Sequence, residues 1–140
     1  MAWRPTLLLV CFLVWGSFAQ NPSRGPECSD TEAMRAESEA VALRSWDDLF
    51  GSYRRYRHCD DGAIAEGYSE AVARILVDHW NTLPRLAGLT SKDTVFRRFV
   101  LQHIEETLNL EDVKSIRANA GKRCPRGLPD LCRDIRKQAE

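Results

Sequence analysis

The stretch GAIAEGYSEAVARILVDHW, residues 62–80, decides the fold. Ile64, Tyr68, Ala71, Val72, Ile75 and Leu76, followed by His79 or Trp80, recur at intervals of three and four, which places them on one stripe of an α-helix. Asp60 and Asp61 stand just before it. Carboxylates there meet the unsatisfied N–H groups and the positive dipole end of a helix start. The stretch therefore predicts an amphipathic helix from about Gly62 to Trp80, with one face committed to a core.

Downstream, Val95, Phe96, Phe99, Val100, His103, Ile104 and Leu108 form a second stripe with the same spacing, and Thr90 or Ser91 is the expected N-cap. Pro84 and Gly88 mark a connection between these two central helices, with Leu83, Leu86 and Leu89 folding it back on the core. Upstream, Ser45 with Asp48 three residues on is a helix start, and Trp46, Leu49, Phe50 and Tyr53 follow at helical spacing. Asp30 to about Leu43 has high helix propensity but a narrow apolar face, Met34 and Val41. A shorter helix is expected from about Glu111 to Ala120, with Gly121 as its left-handed terminator, and a final one from about Asp130 carries Leu131 and Ile135. No period-two run of β-branched residues interrupts these patterns. The fold class is all-α: a small disulfide-stabilised bundle of about five helices.

Residues 1–19 read as a cleaved signal peptide. Arg4 supplies the positive start, Leu7 to Trp15 the apolar run, and Ser17 and Ala19 the small residues before the cut. Residues 20–29 form a flexible lead, with Pro22, Gly25 and Pro26 among polar residues, and residues 30–140 a single domain. No second apolar run approaches about 18 residues, so no membrane span is expected after cleavage. The destination is the periplasm or the extracellular space. There, Cys28, Cys59, Cys124 and Cys132 make an even set in a short exported chain, the arithmetic of two disulfides. Four cysteines allow three pairings. Cys124 and Cys132 bracket a Pro/Gly turn and approach readily, while Cys28 reaches Cys59 only if the chain reverses between Leu43 and Trp46; that pairing is favoured. The run His58–Cys59–Asp60 also suggests an activated nucleophile, but a bonded cysteine has no free thiolate.

The chain has 20 basic and 20 acidic residues. This balance excludes the basic footprint of a general nucleic-acid binder. Most of the basic residues are arginine, clustered at Arg54, Arg55 and Arg57 and at Arg97 and Arg98; with Tyr53, Tyr56 and Trp46 nearby, they suggest an aromatic and arginine surface suited to protein contact. Asp60, Asp61, Glu66 and Glu70 gather four carboxylates near the start of the central helix. They are the candidate partner-binding residues for a basic protein, and Glu70 is placed to pair with Arg74 one turn on. His103 with Glu106 shares a helix face, and His79 from the other central helix would complete a three-ligand set for a metal-assisted hydrolase. No metal, cofactor or catalytic residue is assigned, since no Gly-rich phosphate loop or nucleophile elbow is present.

A small exported helical domain with two disulfides is similar in architecture to periplasmic immunity and inhibitor proteins, helical cytokines and insect odorant carriers, with no motif shared residue by residue. The leading expectation is a protein-binding module of inhibitor or immunity type. The alternatives are a carrier holding an apolar small molecule among Tyr68, Trp80, Phe96 and Phe99, and the metal-assisted hydrolase.

Overall fold

The computed structural model describes residues 26–104 and 109–140. The expected signal peptide, Glu106 and Leu108 lie outside them. Among the described residues there are seven α-helices and no strand: α1 (Asp30–Ala40), α2 (Trp46–Tyr56), α3 (Gly62–Asp78), α4 (Leu83–Thr90), α5 (Thr94–Gln102), α6 (Leu110–Lys122) and α7 (Pro129–Gln138). One-turn 3-10 helices at Arg57–Cys59 and Trp80–Thr82 follow α2 and α3. The all-α, disulfide-stabilised reading holds.

Helix starts follow local chemistry. Ser29 and Glu32 form a reciprocal capping box on α1. Ser45 accepts the Asp48 N–H at 3.2 Å as expected, and Asp61 accepts the Gly62 N–H at 2.8 Å. Gly62 itself takes a positive φ of 51°, the region that favours glycine.

Four local expectations are corrected. The connection at Leu83–Thr90 is helical, because Pro84 sits in the first turn, where a missing N–H costs no intrahelical bond. Since α4 absorbs Thr90, the cap of α5 passes to Asp93, which accepts the Phe96 N–H at 2.8 Å. Gly121 does not end α6, which runs to Lys122; the left-handed glycine of this region is Gly127, with φ 83° in the turn before α7. On α1, Met34 and Val41 are exposed, and the buried face is Ala36 and Ala40. The reason is the close crossing with α3. A Cβ built on Gly67 would lie 2.8 Å from that of Ala40, so only small residues fit between the two backbones.

α3 is the hub, packed against α1, α2 and α6, while α4 joins α5 and α6 joins α7. Ile64, Tyr68, Ala71, Val72, Ile75 and Leu76 are all buried, as its stripe requires. Trp46, Leu49 and Tyr53 of α2 meet Phe96 and Phe99 of α5 in the same core, which continues through Ile116, Leu131 and Ile135. Burying each such large side chain contributes roughly 1.5–3 kcal/mol. Val95, expected on the α5 stripe, faces outward.

Both disulfides follow the favoured pairing. Cys28–Cys59 closes at a Cα separation of 5.0 Å and Cys124–Cys132 at 6.0 Å. The first is possible because α1 ends at Ala40 and the chain reverses before Trp46.

Candidate functional site

The Cys28–Cys59 bridge fixes the Arg57–Cys59 turn against the start of α1, and His58 faces the Glu32 carboxylate at 3.3 Å. His58 is thus largely covered. The Ser29 hydroxyl and N–H, with His58 beyond, hold the Glu32 carboxyl below the usual carboxylate range.

Beside this turn lies a groove of about 610 Å³, walled by Tyr53, Arg54 and Arg57 on one side and Val95, Arg98 and Phe99 on the other. The last three belong to α5, whose positions 95, 98, 99 and 102 recur at helical spacing and so face one way. On the other wall, the Arg57 guanidinium lies 5.4 Å from the Tyr53 ring centroid and donates to the Tyr53 hydroxyl at 3.1 Å. Arg54 lies 5.9 Å from the Phe50 ring. These cation–π contacts orient the guanidinium groups without neutralising them.

The two arginine clusters of the sequence are therefore divided. Arg55 pairs with Glu39, and Arg97 with Asp134 at 2.7 Å. Elsewhere Arg85 binds Asp47, Arg133 binds Asp130, and Arg74 and Arg117 donate to backbone carbonyls. Among the described residues Arg54, Arg57 and Arg98 make no ion pair, and all three are exposed at the groove.

Below the groove runs a buried polar chain. The Ser69 hydroxyl lies 2.9 Å from His103 Nδ1, and His103 Nε2 lies 3.2 Å from Asp60 Oδ2. An ionised carboxylate only accepts, so Nε2–H donates to Asp60 and, in the neutral ring, Nδ1 accepts from Ser69. Phe99 packs edge-on to His103 with centroids 4.4 Å apart. Hydroxyl, imidazole and carboxylate stand in the order of a hydrolytic triad, but Ser69 is 5% exposed and neither it nor His103 lines the groove. The chain ties α3, the end of α5 and the segment after Cys59 together. Nearby, Tyr68 is fully buried and shares a 3.0 Å hydrogen bond with Ser52. Burial pushes its phenol above the ordinary tyrosine range.

The four candidate carboxylates have different surroundings. Asp60 turns inward to His103, Asp61 caps α3, and Glu66 and Glu70 stand exposed on α3. Among the described residues Glu70 makes no ion pair with Arg74, because Arg74 instead donates to the Leu43 carbonyl at 2.9 Å. The expected convergence of His79 with His103 does not occur: His79 is exposed at the end of α3, ten positions beyond the Ser69 that touches His103, about 15 Å along a helix. The aromatics assigned to a ligand cavity fill the core. Tyr68 meets Phe99 at 5.1 Å, Phe96 meets Tyr53 at 5.0 Å, and Trp80 donates its N–H to the Arg123 carbonyl.

Of the aromatics expected on the arginine surface, Trp46 and Tyr53 are buried in the core, and Arg54, Arg57 and Arg98 line the groove. The helical repeat of Val95, Arg98, Phe99 and Gln102 was the available signal for the groove. Sequence reasoning missed the polar chain, for which the only hint was a serine beside the core stripe of α3. No protein-family model, curated protein or solved structure matches the chain.

Proposed function

We infer that this protein is an exported binding module that acts by occupying the surface of a protein partner, in the manner of an inhibitor or immunity protein. The observation that carries the reading is the groove itself: three exposed guanidinium groups, those of Arg54 and Arg57 set against aromatic rings, beside the exposed Val95. Arginine and aromatic side chains are the residue types enriched at protein interfaces. The Cys28–Cys59 bridge and the buried polar chain hold this surface in place before binding, which lowers the ordering cost of association. The two disulfides and the expected leader support export.

The test is affinity capture from the native source with a chain beginning at Gln20. Paired variants place the surface: Arg57→Glu with Arg98→Glu in the groove, and Asp61→Lys, Glu66→Lys and Glu70→Lys on α3. The groove pair is expected to abolish capture of a defined partner at unchanged helical circular dichroism, while the α3 triple retains it. Loss only in the α3 triple returns recognition to the acidic residues, and a partner held equally by all three proteins removes both surfaces.

A further inference from the structure

We propose that the groove between α2 and α5 takes an extended acidic segment of the partner, one that presents spaced carboxylates around an aromatic or aliphatic side chain. The proposal rests on the binding-module reading and assigns the chemistry of the occupant.

Charge complementarity supplies the first argument. Arg54, Arg57 and Arg98 converge on one groove and have no carboxylate partner among the described residues, whereas Arg55, Arg85, Arg97 and Arg133 are each matched to an acid of the chain. A guanidinium fork binds a carboxylate through two parallel N–H donors, so three forks on one groove favour an occupant that carries more than one carboxylate.

The walls supply the second. Val95 is 49% exposed, whereas Phe96, Phe99 and Val100 of the same helix are buried. It is the main exposed part of an apolar strip between the arginines, which Tyr53 and Phe99, 1% and 5% exposed, only border. A peptide side chain gains from covering that strip, at roughly 25 cal/mol per Å² removed from water, and a sulfated sugar chain gains little.

The floor supplies the third. The Asp60 carboxylate borders the groove, bonded to His103 through Oδ2 only, with its other oxygen unpartnered. A negative group at the base repels an occupant that is anionic at every repeat and tolerates one whose carboxylates are separated by neutral residues. A peptide has that pattern and a densely sulfated polysaccharide does not. A volume of about 610 Å³ accommodates a few side chains, in the range of ordinary ligand sites.

The experiment is fluorescence anisotropy on the full mature chain with a labelled peptide of about ten residues, bearing four Asp or Glu around one Phe. Its comparators are the same peptide with Asn and Gln for the acids, the same peptide with Ser for Phe, and a heparin-type sulfated oligosaccharide. The acidic peptide should bind saturably, weaken at least about tenfold on neutralisation of its acids, and weaken as salt rises from about 50 to about 300 mM. Exchange of Phe for Ser should cost about fivefold or more. Arg57→Glu with Arg98→Glu should reduce binding at least about tenfold, and Arg126→Glu, in the Cys124–Cys132 loop, less than about twofold. Arg98→Gln alone serves as the milder variant if the double reversal unfolds.

Equal binding of the neutral peptide overturns the proposal, as does unchanged binding by the groove variants. So does an oligosaccharide that binds through Arg57 and Arg98 where the peptide does not. If the peptide fails and the native partner is still captured, the occupant assigned here falls and the binding-module reading stands. If neither binds, both fall.

Discussion

The groove of α2 and α5 and the exposed ridge of α3 differ most in what lies beneath them. Under the groove are Tyr53, Phe96 and Phe99 in mutual ring contact, and the chain Ser69–His103–Asp60. Next to Glu66 on the ridge is Gly67, where the α3 backbone closely approaches Ala40 of α1. A surface backed by large rings and directional hydrogen bonds holds its side chains at set angles. A ridge of long carboxylates on a close helix crossing has no such support, and its glutamates remain solvated. The comparison shows that the groove arginines stand on a ring-backed surface and the glutamates of α3 do not.

The largest test of this difference is Phe99→Ala. It removes a ring that contacts Tyr53, Tyr68, Phe96 and His103, and the lost burial and residual cavity should cost about 3–5 kcal/mol in denaturant melts. Glu66→Gln and Glu70→Gln, solvated on the ridge, should each cost under about 0.5 kcal/mol. Comparable losses at Phe99 and at either glutamate break the comparison.

A smaller effect is expected at His103. His103→Ala leaves the Ser69 hydroxyl and the Asp60 carboxylate without their shared partner, for a loss of about 2–4 kcal/mol, since each unsatisfied buried group costs about 1–3 kcal/mol. Arg74→Ala, which removes one bond to the Leu43 carbonyl on the α3 side, should cost about 1–2 kcal/mol. If His103→Ala melts like the parent, the polar chain does not brace the groove.

The smallest effects are pH-dependent and have opposite signs in the two pH limbs. Tyr68 has a raised folded pKa, chiefly from burial, so its contribution is complete below the unfolded tyrosine value near 10 and is lost as pH rises through the folded one. Glu32 has a lowered folded pKa, chiefly from the Ser29 hydroxyl, so its contribution is present above the unfolded glutamate value near 4.3 and is lost as pH falls through the folded one. Melting temperature against pH should therefore fall at both limbs. Tyr68→Phe should flatten the alkaline limb and Glu32→Gln the acid limb; a limb that keeps its slope in its variant sharpens the comparison by assigning that slope elsewhere.

Periodicity alone determined that the chain is helical, that Ile64 to Leu76 face a core, and that Ser45 and Asp61 open helices, because these are consequences of spacing and of unsatisfied N–H groups within a few residues. The cysteine arithmetic reached the pairing for the same reason: one loop is short and the other needs only a reversal between two legible helices. Tertiary structure decided the rest. Whether Met34 or Ala36 is buried depends on how closely α1 approaches Gly67, which no local pattern records. The division of Arg54, Arg57 and Arg98 from Arg55 and Arg97 depends on where Glu39 and Asp134 arrive from distant helices. Asp60 reads as a cap beside Asp61, yet His103 lies 43 residues away in sequence and reaches its carboxylate only after α3 and α5 have packed. Short-range chemistry is written in neighbouring residues, and the choice of long-range partners belongs to packing.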